Sequence, residues 1–346
     1  LDVSSPRIAS AGDLGLKWEF PAVGADATLI AKVGQTLGRP VIVKTQSHGH
    51  VVLLTSGYNN SFDGKGRLWM LNASTGAIIK EFVTNVGTLA SQAGLAHVSA
   101  FDEGNGLVRY AYGGDLLGNV WNFDLEDPSA TPTPQKVAVL TGPGGQAQPV
   151  TAAPELMRVE GKRVVMVGTG RLLDIGDFGS SAVQSIYAIA DSGVTLLTPR
   201  TLLAQQTYVR GATPDKDTLA GPDVDWTTGR GWFVDLPAGE QINTRPTIAY
   251  GGLAFVSNIN GGSDCSAKSY LYVVNALSGK KFKGTDFIGT VVSETSNSSG
   301  VTALLTTGQK IVGAGQDADG KPWERQITSG TPILPGKNAW IEIRRQ

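Results

Sequence analysis

Apolar side chains recur at alternate positions in short runs that glycine, proline or a polar cluster then interrupts, which is the pattern of strands with one buried face. It is fullest in Tyr110–Leu125, YAYGGDLLGNVWNFDL. There Tyr110-Ala111-Tyr112 and Asn119–Leu125 alternate, and Gly113-Gly114-Asp115-Leu116-Leu117-Gly118 puts glycines where a tight turn needs positive φ. The stretch predicts a β-hairpin. Two more strands, Val41-Ile42-Val43 and Val51–Leu54, flank the polar turn Gln46–His50. Leu68–Asn72, the turn Ala73-Ser74-Thr75-Gly76 and Ala77–Phe82 predict another hairpin around Gly76.

That last signature returns at Leu271–Asn275, followed by Ala276-Leu277-Ser278-Gly279 and Lys280-Lys281-Phe282 as its return strand. Aromatic to amide is 3 residues and amide to glycine 4 in both copies, and Asp124 likewise follows Trp121 by 3. Independent strands seldom agree so closely. Val164–Gly170 followed by Ser185–Ile189 is a looser relative. The aromatic markers Trp69, Trp121, Tyr187 and Tyr272 stand 52, 66 and 85 residues apart, which suits four-stranded blades of roughly 40 to 50 residues with insertions. A last unit is expected over Val301–Ile343, through Gly313-Ala314-Gly315 and Trp340–Ile343.

Helical spacing is scarce, so the fold class is all-β, a β-propeller with irregular blades. Glu126–Gln148 and Gln206–Arg230 read as long surface loops. The markers Trp69, Trp121, Tyr187 and Tyr272, with the turn residues Gly114, Asp115 and Gly118, are expected to be structural, packing the repeat rather than stacking on sugars. Residues 1–346 are expected to form one propeller domain. Its first blade is expected to be incomplete, because LDVSSP reads as the end of a strand whose partners lie upstream.

Composition narrows the function. Among 346 residues, 45 are glycine, 17% are charged and the net charge is −1, which gives nucleic acid or an anionic membrane no electrostatic handle. No apolar run reaches the ~20 residues that span a bilayer as a helix. Cys265 stands alone, so neither a disulfide framework nor a CxxC pair is available within this sequence. His48 and His50 lack a third nearby ligand, and none of His48, His50 and His97 sits in a hydrolase or zinc frame. Asp174 with Asp177, and Asp223 with Asp225, read as solvated loops before acid–base pairs. Gly168-Thr169-Gly170-Arg171 has no helix after it to complete a phosphate loop.

The succession GRLWMLNASTGAIIKEF, YAYGGDLLGNVWNFDL, VGTGRLLDIGD, QSIYAI, GWFVDLPAGEQINTRP and SDCSAKSYLYVVNALSG resembles the carboxy-terminal β-propeller of the PilY/PilC-type proteins of type IV pili. The resemblance implies a noncatalytic pilus biogenesis factor and tip adhesin at the fimbrium or cell surface, passing through periplasm or outer membrane. Minor pilins and host-surface ligands are the implied partners, and a variable amino-terminal region is implied upstream. The alternative is a quinoprotein-like propeller enzyme, whose quinone site would need the adjacent cysteine pair that one cysteine cannot make. The resemblance also places a calcium loop before the hairpin. Here that segment is Phe101–Arg109, with Asp102, Glu103 and Asn105 as the candidate ligands; Arg109 stands where a closing aspartate belongs, so a compact glycine-stabilised turn is expected and no cofactor. Asp317 and Asp319, with Gly320, form a second, less complete fragment.

Overall fold

A computed structural model describes residues 17–129, 131–261, 266–307 and 310–328. Leu1–Pro6, Cys265 and Trp340–Ile343 therefore lie outside the described residues. The protein divides into two compact units, Leu1–Ala111 with Phe123–Pro134 and Tyr112–Asn122 with Gln135–Gln346.

In the first unit β1 (Val41–Thr45), β2 (Gly49–Thr55), β3 (Arg67–Asn72) and β4 (Ile78–Val83) form an antiparallel sheet in sequence order. Valine, isoleucine and aromatic side chains favour this pleated, half-buried surface. The six-residue helix α1 (Ala27–Lys32) is capped by Asp26, whose carboxylate accepts the Thr28 N–H. Leu29 and Val33 at that helix, with Trp18 and Phe20, pack against buried Val52, Trp69 and Leu71. Such a short helix has little stability of its own, and this packing holds it.

β5 (Val98–Asp102), β6 (Val108–Gly114), β7 (Asn119–Asp124) and β8 (Gln135–Val139) make a second four-stranded sheet, with β6 and β7 contributing residues to both units. In the second unit β9 (Glu155–Val159), β10 (Lys162–Gly168) and β11 (Ser185–Asp191) are antiparallel. After α2 (Pro199–Leu202), β12 (Ala204–Val209) and β13 (Thr218–Ala220) form a hairpin, and β14 (Gly231–Asp235) then pairs with β11. β12 lies parallel to β14, giving a six-stranded sheet in the order β13-β12-β14-β11-β10-β9. Next come β15 (Thr247–Ala249), β16 (Gly252–Asn260), β17 (Ala267–Asn275) and β18 (Gly289–Ser293), then β19 (Ser298–Thr307), β20 (Lys310–Asp317) and β21 (Pro322–Gln326).

β16 and β17 are apolar on both faces because sheets cover both. Phe255, Tyr272 and Val274 join Met166, Trp232 and Val234 in one core, while Val256, Leu271 and Val273 join Ile311 and Trp323 in the next. Alternate residues of one strand thus feed different cores, and each fully buried apolar residue contributes roughly 1.5–3 kcal/mol.

Three expectations need correction. Glu126–Gln148 is not all loop, since β8 pairs with β7 across a bulge at Val120/Trp121; Pro and Gly on either side mask its short alternation. Gln206–Arg230 holds the end of β12 and all of β13. Lys280–Phe282 is not a return strand: Lys281 makes a single bridge to Val274, and β18, seven residues past Phe282, pairs with β17 instead.

Candidate functional site

The hairpin turn between β6 and β7 is organised by one carboxylate. Asp115 is fully buried, and its Oδ1 accepts N–H bonds from Leu117 (2.9 Å) and Asn119 (3.0 Å) while its Oδ2 accepts the Trp121 indole Nε1–H at 2.8 Å. The Asn119 amide Nδ2 reaches both oxygens, at 3.0 and 2.9 Å. Burial pushes the Asp115 carboxyl up from its ordinary value, and the Trp121 and Asn119 bonds offset part of that. With every lone-pair direction occupied by a structural donor, Asp115 orders the turn. Gly114 and Gly118 are needed by approach: a Cβ would stand 2.3 Å from the Val150 side chain at one and 2.5 Å from the Leu140 carbonyl at the other, where φ is also +80°.

Trp69, Trp121, Tyr187 and Tyr272 are all buried. Tyr187 donates to Gln148 Oε1 and Tyr272 to Glu240 Oε2, so their hydroxyls serve the interior. The two repeated turns share a device. Asn72 Oδ1 accepts the Ser74 and Thr75 N–H groups, and Asn275 Oδ1 those of Leu277 and Ser278. Gly76 and Gly279 sit at φ +71° and +67°, each under an indole, Trp18 and Trp232, that leaves a Cβ only 2.6 Å. Those indoles donate at 3.0 Å to Ala73 O and Ala276 O.

The loop from β5 to β6 carries the cation candidates. Asp102 Oδ1 accepts the Gly104 and Gly106 N–H groups at 2.7 and 3.2 Å, and Asn105 Oδ1 accepts that of Leu107 at 3.0 Å. Glu103 and Asn105 line an open cleft of about 420 Å³ with Gln46, Ser47, Arg109 and Glu126. Glu126 Oε1 accepts the Gln46 and Ser47 N–H groups at 2.6 and 3.1 Å. Burial opposes the Glu126 charge, but those N–H bonds outweigh it and hold the carboxyl below its usual range. Arg109 turns away from the loop to grip Asp124 at 2.9 Å. Two of the candidate ligand oxygens, Asp102 Oδ1 and Asn105 Oδ1, are thus turned to backbone N–H groups, and a hard cation would have to compete with those bonds for them. Among the described residues no three His, Cys, Asp or Glu side chains gather as a metal set.

His48 lies in the β1–β2 turn, where its own N–H donates to Thr45 Oγ1, and His50 lies exposed on β2. Asp177 accepts from Arg171 at 2.6 Å and from the Leu173 N–H at 2.8 Å, closing a capping box with Asp174. Asp223 pairs with Lys280, and Asp225 accepts from Thr227 and Thr228. A Cβ at Gly170 would meet Ile242 N at 2.6 Å, which explains that glycine by packing. Asp317 Oδ1 accepts the Asp319 and Lys321 N–H groups.

Sequence reasoning missed two buried charge networks in the second unit. Glu240, fully buried, accepts from Arg210, Tyr272 and Ser257, while Tyr208 donates to Asp217. Asp191 accepts from Tyr112 at 2.7 Å and Asn122 at 2.8 Å, with Arg163 at 3.5 Å. Tyr112, Asn122 and Tyr272 lie in motifs the sequence marks, but the carboxylates they meet, Asp191 and Glu240, come from distant segments and carry no local signal.

Sheets packed face on face, with an asparagine-and-glycine turn recurring beneath an indole, define a β-propeller domain. A family model for the PilY1 beta-propeller domain matches residues 14–196, and the chain belongs to that family. A Type IV pilus biogenesis factor PilY1 homolog of Xylella fastidiosa is 27% identical over 89% of this chain and 23% of its own length. Type IV pilus biogenesis factor PilY1 of Pseudomonas aeruginosa strain PAO1 is 26% identical over 83% of this chain and 28% of its own. The chain thus spans under a third of these curated relatives. The crystal structure of the Pseudomonas aeruginosa PilY1 C-terminal domain matches with a TM-score of 0.67 at 19% identity, covering 87% of this chain and 74% of that one, a likeness of fold.

Proposed function

We propose that this protein is a noncatalytic domain of a type IV pilus biogenesis factor, acting at the cell surface at the pilus tip to support extension and contribute to attachment. Family membership carries the reading, together with relatives that are named as pilus biogenesis factors. The carboxylates that sequence weighs as acid–base candidates, Asp177, Asp223 and Asp225, are engaged in turns and ion pairs, which supports a scaffold role. Minor pilins are the proposed partners, and a host-surface ligand is a further one.

The test is genetic. In the bacterium that encodes it, this segment is excised in frame from its parent gene, and sheared surface pili are quantified against total cellular pilin. Surface pili and twitching are expected to fall while pilin itself stays constant. Normal piliation would remove the biogenesis role. Retention of minor pilins on the immobilised domain, compared with the major pilin, checks the partner class.

A further inference from the structure

The cleft-side loop between β5 and β6 contains one of the two Asn-Gly steps in the sequence, Asn105-Gly106; the other is Asn260-Gly261. The two are held very differently. Asn105 and Gly106 are both exposed, and a Cβ built on Gly106 meets nothing within 4 Å. Asn105 Oδ1 accepts the Leu107 N–H at 3.0 Å, an Asx turn. The ring closed by that bond contains both the Asn105 Cγ and the Gly106 nitrogen, which limits how far the two atoms can separate. Glycine at this step offers no side chain to hinder their approach. The Gly106 N–H faces Asp102 Oδ1 at 3.2 Å, a long, exposed bond that puts a carboxylate acceptor beside its proton. At the other step the same groups are held more tightly: Asn260 pairs with Ala267 in the β16–β17 ladder, its Oδ1 accepts from Asn297 Nδ2 at 2.5 Å, and the Gly261 N–H donates to Ser266 O at 2.6 Å.

We propose that Asn105 is a site of spontaneous deamidation that the folded loop promotes, converting it to aspartate or its β-linked isomer. The Gly106 nitrogen attacks Asn105 Cγ; the new C–N bond closes a five-membered imide, and the bond from Cγ to Nδ2 breaks. Ammonia leaves with the proton that Gly106 gave up. Water then adds across one of the two imide carbonyls, opening the ring to either product. The only co-reactant is water, and no redox change occurs. The product puts a carboxylate where Asn105 stood, in the cleft that Glu103 and Glu126 also line. The loop thereby gains a negative charge with age, and the β-linked isomer also lengthens its backbone by one methylene.

The folded protein is incubated at mildly alkaline pH, digested, and its Asn105 and Asn260 peptides are followed by mass spectrometry for a gain of about one mass unit. Conversion at Asn105 is expected to run roughly ten-fold ahead of Asn260, since Asn105 and Gly106 lie exposed while Asn260 is held in the β16–β17 ladder and by short bonds to its amide and to the Gly261 N–H. In denaturant the two steps share the same residue pair, and their rates are expected to converge. Asn105→Gln is expected to abolish the fast conversion with no change in the unfolding midpoint, because the site is exposed. Equal rates in the folded protein, or an Asn105 peptide that stays unconverted, would overturn the proposal. So would a rate at Asn105 that rises on unfolding, since the fold would then protect the site.

Discussion

At the scale of single residues, the chemistry-bearing side chains are defined by what they accept. Asp115 answers four N–H groups at once, so replacing it leaves buried donors without partners. Asp115→Ala is expected to cost about 3 kcal/mol or more, at ~1–3 kcal/mol for each stranded donor. Asp115→Asn keeps the shape but turns an NH₂ group toward donors, and it too is expected to lower the urea midpoint. A midpoint unchanged by both would show that the turn does not depend on this carboxylate. Asp225 gives a pH prediction. The hydroxyl bonds of Thr227 and Thr228, with the Thr227 N–H, lower its pKa from 3.8 to about 2. Its folded value lies below its unfolded one, so the ionised turn stabilises the fold above about pH 4 and that contribution is lost as pH falls through about 2. Titration followed by carboxyl carbon NMR checks this, and Thr227→Ala with Thr228→Ala is expected to return the value toward 3.8.

At the scale of elements, the repeated turn is a unit in which an amide, a glycine and an indole depend on one another. Gly279 has φ +67° and lies 2.6 Å, measured from its would-be Cβ, from the Trp232 ring. Gly279→Ala is therefore expected to destabilise by about 2–3 kcal/mol, combining a left-handed non-glycine residue with an overpacked indole. The equivalent change at exposed Gly104, where a Cβ meets nothing within 4 Å, carries only the φ penalty. Urea unfolding of the two variants separates the terms: equal losses would mean that the indole adds nothing. The sequence spacing of aromatic, amide and glycine made this turn legible. The indole above it was not, because Trp18 and Trp232 come from strands and segments 44 residues or more away.

At the scale of the whole molecule, the calcium question turns on the β5–β6 loop. Asp102 and Asn105 direct their oxygens to backbone N–H groups, and Arg109 holds Asp124. Calorimetric titration of calcium into chelator-stripped protein is expected to show no tight site. Tight binding that Asp102→Ala abolishes would reverse this and make the loop a calcium switch. Conversion of Asn105 changes the ligand inventory of the same loop, so young and aged protein should be titrated separately.

What sequence alone determined were the local features: alternating strands, the glycine-marked turns, the recurrence of Trp69, Trp121, Tyr187 and Tyr272, and through them an all-β propeller. Those follow from residues within a few positions of each other, whose period and turn chemistry are set by backbone sterics. Tertiary structure alone decided that β8 and β13 are strands, since Gln135–Val139 and Thr218–Ala220 gain their definition from partners β7 and β12. It also decided that β12 runs parallel to β14, and that Glu240 and Asp191 are buried among hydroxyl and guanidinium donors. A buried charge is tolerable only where several distant donors converge, and convergence of groups dozens of residues apart is a property of the packed sheets, with no trace in the local pattern.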